Sequence, residues 1–487
     1  MAKEETNLHR IARIMQKPEF IRNIATSAHI HHGKCISGES RLILSNGTIK
    51  KAKDIFDEVS AEGKIYEENE DYTIFIPNKE MLTFSFNKET GKIEKKPIQY
   101  AWRLKGGNTI KIGLRNGFKI TTTPEHKYVV YRDGLKEIES KDLKIGDRVV
   151  CSRKLEINSS LKIKKELLKK LSEKNFYVKL DEEFSNNLKE KILDYGIKNI
   201  KLTIKPKSFY HGIWQNRYNL EDLLTISEIF QIDISLLYDK IDIIFFRTGK
   251  QRGGNSLSMK LPQNFEEFFY LAGLFLGNGS GKKFVVGKEQ LAKEVIRICN
   301  SLGINPINVS PKHRTPEIHT NLTLTQIFNI LFDYPLRQKS HNIKVSEFVW
   351  KSENKYVASL LRGYFDTDGC VEKSRRAITI SSASKRMIED LHLLLLRFGC
   401  IAIKGKDNTI SISGLSAINF EKEIGFGLNE KKDKLRNLVT KVSGSIVCDT
   451  IKVGNQMMFL NRKIKDFSEH ELAYIEVKSI EAGFEDI

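Results

Sequence analysis

One segment of this chain occurs twice in similar form. FFYLAGLFLGNGSG, around Gly273, recurs as ASLLRGYFDTDGCV around Gly363, and 363 − 273 gives a spacing of 90 residues. Each copy is followed by a strand, a helix and another strand, so residues from about 261 to 435 predict two similar αββα-like halves. Two similar halves in one chain predict a pseudo-two-fold molecule, whose symmetry matches that of duplex DNA.

The chain changes character at Cys35. Residues Ile21 to Lys34 have the pattern of a strand that enters a glycine turn, and Gly33-Lys34 is followed by a thiol. A phosphate loop needs Ser or Thr after Gly-Lys, because the hydroxyl binds Mg²⁺ beside the phosphates. The segment resembles the phosphate loop of translational GTPases, in the wording of elongation factor 2. The resemblance implies that Gly33 and Lys34 bind GTP only in a spliced host protein.

The residues from Cys35 to about Lys154 predict an all-β unit. Short apolar strands alternate with turns, and Asn46-Gly47 and Asn116-Gly117 are strong hairpin signals. The tail, from about residue 443 to residue 487, returns to short strands. We expect this tail to rejoin the first β unit.

Two motifs of the β unit indicate a chemistry. CISGESRLIL begins at Cys35, and TTTPEHKYVV contains Thr123 and His126 as Thr-x-x-His. They resemble the N-terminal splicing motifs of inteins of the Hedgehog/intein fold, proteins that excise themselves and join their flanks. The resemblance implies that Cys35 converts the peptide bond before it into a thioester and that His126 protonates the departing amide nitrogen. It also implies that Thr123 hydrogen-bonds either the scissile amide or the developing charge. These side chains need no cofactor for that chemistry.

Inteins finish with a His-Asn pair before a Cys, Ser or Thr. This chain stops at EAGFEDI, without such a pair. The resemblance therefore predicts a fragment or one half of a split pair, which cannot splice by itself. Its implied partner in trans is a C-terminal intein and host fragment.

The repeated segment resembles the motif of LAGLIDADG, or DOD-type, homing endonucleases. The resemblance implies that Gly273 and Gly363 let two helices cross closely. It also implies that Asp368 and Asn278, at the helix ends, hold Mg²⁺ at the scissile phosphates. The implied partner is double-stranded DNA at the intein-free site of the host gene. Asn278 stands where an acid is expected and carries no charge, so cleavage is predicted to be lost or reduced to nicking.

Two residues near this motif have alternative interpretations. Lys344 stands where these enzymes often place a basic residue near the metal-bound water, although a solvated surface lysine fits the pattern equally well. Asp366, two residues before Asp368, either alters the metal geometry or serves as a cap.

Residues 156 to 255 predict a helical insertion, which begins with the Lys-rich pattern LKIKKELLKKLSEKNF. Within it, residues 208 to 237 resemble the helix-turn-helix of repressor-type DNA-binding domains, with Trp214, Asn216 and Arg217 ahead of an apolar helix. A plain helical spacer explains the same pattern, and the sequence leaves both interpretations open.

The charge balance favours a polyanionic partner. The 80 Lys and Arg residues exceed the 61 Asp and Glu residues and leave a net charge of +19, which predicts salt-sensitive binding to nucleic acid. A basic but merely solvated surface is the alternative. No apolar run approaches the about 20 residues of a membrane helix, and the N-terminus has no signal-peptide pattern, so a cytoplasmic location without membrane contact is predicted.

These patterns predict a multidomain, mixed protein in which an all-β Hedgehog/intein splicing domain is interrupted by a pseudo-two-fold α+β endonuclease. The predicted parts are a host segment (1–34), the first part of the splicing domain (35–155), a helical insertion (156–255), the endonuclease (256–437) and an incomplete last part of the splicing domain (438–487). The predicted function is protein splicing together with site-specific DNA cleavage. The alternatives are a DNA-binding remnant defective in cleavage and splicing, and a translation elongation GTPase that meets the ribosome only after splicing.

Overall fold

The structure is a computed structural model that describes residues 35–87, 90–104, 106–201, 212–247, 258–310, 314–442, 457–459, 462–464 and 472–485. The predicted host segment, with Gly33 and Lys34, lies outside the described residues.

The first part of the chain forms short strands, since its apolar and β-branched residues come in short runs between turns. Its elements are β1 (Arg41–Ile43), β2 (Ile49–Lys51), α1 (Ala52–Glu62), β3 (Lys64–Glu68), β4 (Tyr72–Ile76), β5 (Leu82–Phe86), β6 (Ile93–Pro97), β7 (Ala101–Leu104), β8 (Gly107–Leu114), β9 (Lys119–Thr122), β10 (Lys127–Tyr131), β11 (Leu135–Glu139), a 3₁₀ turn (Ser140–Asp142) and β12 (Arg148–Ser152).

Both hairpin predictions are confirmed. The antiparallel pair β1–β2 turns at Asn46-Gly47, and the pair β8–β9 turns at Asn116-Gly117. Both glycines have a φ of +91°, a left-handed conformation that costs glycine no steric energy. These turns fix the register of the strands that follow Cys35 and of those that precede Thr123.

The all-β prediction is wrong at α1. Its sequence AKDIFDEVSAE places Ile55 and Val59 four residues apart on one buried helix face, a helical rather than an alternating pattern. The helix packs against the three-stranded sheet β3-β4-β7, where the rings of Phe56 and Phe75 meet edge to face at 5.6 Å.

The insertion unit, which comprises the described residues between 163 and 259, is a mixed α/β structure, so the prediction of a helical insertion is wrong. Its elements are α2 (Ile163–Ser172), β13 (Phe176–Leu180), α3 (Glu182–Tyr195), α4 (Ile197–Lys201), β14 (Tyr218–Asn219), α5 (Leu220–Ile229), α6 (Ile234–Asp239), β15 (Ile241–Phe246) and β16 (Ser258–Met259). The strands form an antiparallel sheet in the order β14-β13-β15-β16. FYVKL in β13 and IDIIFF in β15 are rich in aromatic and β-branched residues, which favour strands.

The repeat unit contains two copies of one fold. The first copy is α7 (Phe265–Asn278), β17 (Gly279–Ser280), β18 (Lys283–Val285), α8 (Glu289–Ser301), β19 (Ile307–Val309), β20 (Glu317–His319) and α9 (Leu322–Phe332), followed by the short helices α10 (Lys339–Asn342) and α11 (Glu347–Lys351). The second copy is α12 (Asn354–Asp368), β21 (Gly369–Glu372), β22 (Ala377–Ser381), α13 (Lys385–Leu394), a 3₁₀ turn (Leu395–Phe398), β23 (Ile403–Lys404), β24 (Thr409–Ser413) and α14 (Leu415–Glu423), followed by α15 (Asn429–Val442). The sheet orders β17-β18-β20-β19 and β21-β22-β24-β23 are equivalent, as two similar halves require.

Helices α7 and α12 cross at their glycines. A Cβ atom on Gly273 would lie 2.0 Å from the carbonyl oxygen of Leu360, and one on Gly363 would lie 2.3 Å from that of Tyr270. Only glycine permits so close an approach of two backbones, so the predicted crossing is confirmed. The C-terminal ends of the two helices also meet, because a Cβ on Gly277 would lie 1.9 Å from Thr367 Oγ1.

The tail contributes β25 (Met457–Phe459), β26 (Arg462–Ile464) and β27 (Leu472–Glu485). They complete an eight-stranded sheet in the order β26-β25-β11-β10-β12-β27-β8-β9. Ser152, the last residue of β12, pairs with Leu472, the first residue of β27. The tail thus rejoins the first β unit, mainly through one long strand of 14 residues rather than through short strands. We call this sheet, with the described residues 35–152, the β unit.

Asp390 of α13 joins the repeat unit to the β unit. Its carboxylate, fully buried, accepts hydrogen bonds from Arg41 Nη2 at 2.6 Å and from the Val345 backbone N–H at 3.0 Å. Beside this pair, the ring of Phe118 from the β8–β9 hairpin stacks on His392, with centroids 3.9 Å apart. The two units therefore share a packed and hydrogen-bonded boundary.

Candidate functional site

Cys35 lies against Thr123, 88 residues further along the chain. The backbone N–H of Cys35 donates a hydrogen bond to Thr123 Oγ1 at 3.0 Å, and the backbone N–H of Thr123 donates to the carbonyl oxygen of Cys35 at 3.1 Å. An antiparallel bridge between Ile36 and Thr122 continues the contact. The peptide nitrogen of Cys35 is therefore held by the Thr123 hydroxyl.

Ser140 fixes the loop that carries Thr123 and His126. Its backbone N–H and its hydroxyl both donate to the carbonyl oxygen of His126, at 2.8 Å and 3.0 Å. Its Oγ also lies 2.8 Å from Thr122 Oγ1, which accepts a hydrogen bond from the Tyr128 hydroxyl at 3.3 Å. A connected set of buried hydrogen bonds of this kind rigidifies the loop.

The three residues predicted for splicing lie in one buried region. Cys35, Thr123 and His126 are 4%, 5% and 8% exposed. Thr123 contacts Cys35, and its carbonyl oxygen accepts a hydrogen bond from the backbone N–H of His126 at 3.1 Å. The imidazole of His126 packs against Tyr128, with ring centroids 5.0 Å apart.

The Cys35 thiol is strongly desolvated. Burial raises its pKa to about 12, and a hydrogen bond with the Trp102 side chain works in the opposite direction. The thiolate, not the thiol, is the nucleophilic form. The thiol is thus protonated at neutral pH and needs help to react.

A second group of polar residues lies where α7 and α12 end. Asp368 ends α12, and its Oδ1 lies 3.0 Å from the position of a Cβ on Gly277. Asp368 keeps access to solvent, while the atoms packed around its carboxylate raise its pKa and the charge of Lys339 offsets part of that rise. Its oxygens face the junction of the two helix ends.

Two half-buried lysines bind the ends of these helices. Lys339 Nζ donates to carbonyl oxygens at the end of α7, among them that of Gly279 at 3.0 Å. Lys431 Nζ donates to carbonyl oxygens in the last turn of α12, among them that of Asp366 at 2.7 Å. Desolvation lowers the pKa of Lys339 to about 8 and also lowers the pKa of Lys431. Both ammonium groups can therefore exchange protons more readily than a surface lysine.

For Lys344, the structure favours the interpretation as a surface lysine over the role near the metal-bound water. Its ammonium forms an exposed ion pair with Asp333 at 3.1 Å. The lysine charges that act on the Asp368 carboxylate are those of Lys339 and Lys431. The basic residue of this site thus stands five positions earlier in the sequence than predicted.

Asp366 serves as a cap, one of its two predicted roles. Its carboxylate is buried and accepts hydrogen bonds from the Tyr270 hydroxyl at 2.8 Å and from the backbone N–H groups of Gly427 and Leu428 at 2.9 Å and 3.1 Å. These bonds use the oxygens that a metal ion would need.

The helix ends offer hard oxygen ligands with a single negative charge. Asp368 supplies a carboxylate, and Asn278, which ends α7, supplies a carboxamide oxygen. Within the described ranges, no three His, Cys, Asp or Glu side chains gather as a metal site. Mg²⁺ prefers six oxygen ligands and keeps several waters, so this donor pair fits Mg²⁺ only together with water and substrate phosphate.

The predicted helix-turn-helix lies partly outside the described residues. Helices α5 and α6 are joined by residues 230–233, but α6 has only six residues. Its exposed positions are Ser235, Leu236 and Asp239, and none of them is basic. A recognition helix gains affinity from contacts of cationic side chains with phosphates, so the structure favours the spacer interpretation for α6.

Several residues of the two sites were missed in the sequence, namely Trp102, Tyr128, Ser140, Lys339 and Lys431. The two lysines had a detectable signal, because 431 − 339 = 92 is close to the repeat spacing of 90 residues. Tyr128 lies within the TTTPEHKYVV segment, where no role was predicted for it, whereas Trp102 and Ser140 lie outside the recognised motifs. None of the helices in the described part of the chain is both long and apolar enough to span a bilayer.

The comparisons with known proteins identify the family of this chain. The family model described as "Intein splicing domain" matches residues 42–486. This chain therefore belongs to the intein splicing domain family.

The curated relatives are similar to this chain over most of its length and carry different names. "Elongation factor 2" of Methanopyrus kandleri is 32% identical and its match covers 91% of this chain and 36% of the relative. "Probable translation initiation factor IF-2" of Thermococcus kodakarensis is 28% identical, over 86% of this chain and 35% of the relative. "DNA-directed RNA polymerase subunit Rpo1C" of Methanocaldococcus jannaschii is 25% identical, over 74% of this chain and 35% of the relative. This chain thus spans about a third of these relatives.

Among solved structures, the solution structure of the Pab PolII intein has 23% sequence identity to this chain and a TM-score of 0.23. The match covers 26% of this chain and 71% of the Pab PolII chain.

Proposed function

We propose that this chain performs intein-type protein splicing and that Cys35 starts the reaction. The observation that supports this most strongly is the 3.0 Å hydrogen bond from the Cys35 backbone N–H to Thr123 Oγ1, which holds the nitrogen that must leave.

In the proposed first step, Cys35 Sγ passes its proton to the His126 imidazole and forms a bond to the carbonyl carbon of Lys34. The C–N bond of that peptide breaks, and the nitrogen of Cys35 takes a proton from His126. Thr123 keeps the nitrogen oriented while its bonding changes, and Ser140 keeps Thr123 and His126 in register through the His126 carbonyl oxygen. No metal or organic cofactor enters this step.

We further propose that the host protein is a translation factor of the elongation factor 2 type. The phosphate-loop pattern that ends at Gly33-Lys34 supports this, as does the similarity to the Methanopyrus kandleri protein. GTP and the ribosome would then concern the spliced host alone.

The thioester step is tested by thiolysis. Incubation of the full chain with dithiothreitol is expected to release a peptide that ends at Lys34, and Cys35→Ala should reduce this release to background. The matched control is Cys299→Ala, since Cys299 is also buried and its pKa is also raised to about 12 by desolvation. Equal release from the Cys35 variant, measured by mass spectrometry, would contradict the proposal.

A second function is favoured by the repeat unit. We propose that it binds duplex DNA and hydrolyses phosphodiester bonds as a homing endonuclease. The supporting observation is that two copies of one fold cross at Gly273 and Gly363 and bring Asp368 to the junction of the helix ends. Asp368 and Asn278 would hold Mg²⁺, which in such sites stabilises charge on phosphate and lowers the pKa of bound water. Lys339 and Lys431 would then position the phosphate and exchange protons with water.

The endonuclease proposal is tested with a supercoiled plasmid that carries the phosphate-loop codons of the host gene without the insertion. With one carboxylate in the site, we expect slow nicking in Mg²⁺, and Asp368→Asn should abolish it. Asp433→Asn is the matched control, because Asp433 lies exposed on α15. Nicking that survives Asp368→Asn at the wild-type rate would refute the role of this residue.

A further inference from the structure

The antiparallel sheet of the insertion unit has two unlike faces. Alternate residues of β13 are buried in the core, so Tyr177 and Lys179, which stand between them, point to the opposite face and stay partly exposed. Tyr177 pairs with Phe245 of β15, and their rings stack with centroids 5.9 Å apart. Helices α5 and α6 contact β13 and β15 from the buried face. The opposite face therefore carries an aromatic pair and a lysine.

Two arginines hold their guanidinium groups over these rings. Arg247 Cζ lies 4.8 Å from the ring centroid of Tyr177, and Arg217 Cζ lies 5.9 Å from that of Phe245. A guanidinium held over an aromatic ring is fixed in position but keeps N–H donors at its edge for an anion. We call these two arginines, the two rings and Lys179 the basic face.

The cations of the basic face have no acidic partner in the described residues. No described carboxylate forms an ion pair with any of the three. By contrast, Lys164 and Lys240 of the same unit pair with Asp239 and Asp181, at 2.6 Å and 3.2 Å. Cations left unneutralised around a rigid aromatic pair favour a partner with several negative charges, such as the phosphate backbone of a nucleic acid.

The edge of this sheet is joined to the first sheet of the repeat unit. Ser258 of β16 pairs with Phe245, and its carbonyl oxygen accepts a hydrogen bond from Asn321 Nδ2 at 3.0 Å. Asn321 stands two positions after the end of β20. The backbone N–H of Phe246 also donates to Thr323 Oγ1 at 3.0 Å. A duplex that lies along the first sheet and passes the end of β20 would therefore come next to the insertion sheet.

We propose that the basic face binds the phosphate backbone of duplex DNA beside the position that the repeat unit would cleave. This inference rests on the proposed DNA-binding function of the repeat unit. It gives the insertion unit a binding role through its sheet and not through α6. Contacts with phosphates carry no sequence information, so the face adds affinity and fixes the register of the duplex without selecting its bases.

The first test measures binding without cleavage. A triple variant of the full chain, Lys179→Gln with Arg217→Gln and Arg247→Gln, is titrated with a long duplex centred on the intein-free site, in Ca²⁺ and over a salt series. Fluorescence anisotropy should show affinity about tenfold weaker at low salt and a slope of log K against log salt less steep by about 2–3, since each phosphate contact contributes about 0.9.

The matched control removes the same charge from the same unit. Lys165, Lys169 and Lys191 are exposed on α2 and α3, and their joint replacement by Gln should leave both the affinity and the salt slope at wild-type values.

A conservative variant separates lost contacts from a damaged fold. Arg217→Lys with Arg247→Lys keeps both charges and should keep the salt slope of the wild type. A loss of slope as large as in the triple variant would indicate a disrupted insertion unit and would overturn the assignment to phosphate contacts.

Trimming the duplex locates the contact. Removal of one flank should weaken wild-type binding as much as the triple variant does, and the triple variant should bind the long and the trimmed duplex equally. Removal of the other flank should not change the difference between the two proteins. Changing the flank sequence at constant length should have no effect, because phosphates do not encode sequence.

The outcomes for the two proposals are distinct. Wild-type affinity and slope in the triple variant would overturn the basic face, even if the wild type nicks the plasmid. Tighter binding of a single-stranded RNA than of the duplex, lost in the triple variant, would overturn duplex DNA as the partner. Absence of nicking by the wild type in Mg²⁺ would count against the endonuclease function, while the flank and salt series would still decide whether the basic face binds DNA.

Discussion

Asn278→Asp is expected to convert slow nicking into Mg²⁺-dependent double-strand cleavage of the intein-free plasmid site. Asn278 ends α7 as Asp368 ends α12, but its carboxamide brings no charge to the helix junction. A second carboxylate would raise metal occupancy next to the phosphates. Metal stabilisation of the transition state is worth several kcal/mol, so restoring about 2–3 kcal/mol predicts a gain of about 10²-fold in the cleavage rate.

The control for this gain is Asn300→Asp, which adds the same charge at an exposed position of α8. It should leave the ratio of linear to nicked product unchanged. Linear product from the unmodified chain at ordinary Mg²⁺ concentrations would show that Asn278 is no defect. An Asn278→Asp protein that binds the site but still fails to linearise it would contradict the metal-sharing scheme.

Asp390→Ala is expected to destabilise the protein by about 3–5 kcal/mol, the usual effect of removing one partner of a buried ion pair. The carboxylate is fully buried and also lies 3.2 Å from Arg386. Its loss would leave Arg41, whose side chain is only 15% exposed, without the acceptor that it has in the structure. The measurement is the midpoint of urea unfolding, followed separately by Trp fluorescence and by loss of Cys35 protection from alkylation.

Glu389→Gln is a neighbouring control for this prediction. Glu389 pairs with Lys404 at 3.3 Å near the surface, where an ion pair contributes about 0–1 kcal/mol. If the two substitutions shift the midpoint equally, the Arg41–Asp390 contact is not a principal tie between the units. A shift confined to the repeat unit, with Cys35 still protected, would show that the β unit is stable without it.

The candidate site around Cys35 was predictable where short sequence motifs identify its residues. Cys35, Thr123 and His126 all lie in short recognisable segments, and the structure places Thr123 against Cys35. Ser140 was not predictable, because its approach to Thr122 and His126 depends on the pairing of β10 with β11 and on the 3₁₀ turn that follows β11. Contacts made through three elements leave no local pattern.

The repeat unit was predicted better than the insertion unit for a related reason. A repeat of 90 residues constrains both halves at once, and the glycine pattern translates directly into a helix crossing. In the insertion unit, the Lys-rich pattern at its start predicted helices. The segments FYVKL and IDIIFF form strands instead, as their aromatic and β-branched residues favour. The role of Lys339 could not be predicted, because the sequence gave no information on which lysine turns inward.

The pairing of Ser152 with Leu472 has a consequence for how such a gene can change. The chain leaves the sheet after Ser152, and the described residues from 153 to 442 form one long excursion from the sheet before β25, β26 and β27 rejoin it, with Leu472 facing Ser152. Because closure entropy rises only with the logarithm of loop length, replacing a four-residue turn by this excursion costs about 4 kcal/mol. An ancestor could acquire or discard the whole block in a single recombination event with the strand register intact. Arg41, tied to Asp390, and Phe118, stacked on His392, are among the residues that would then need new neighbours.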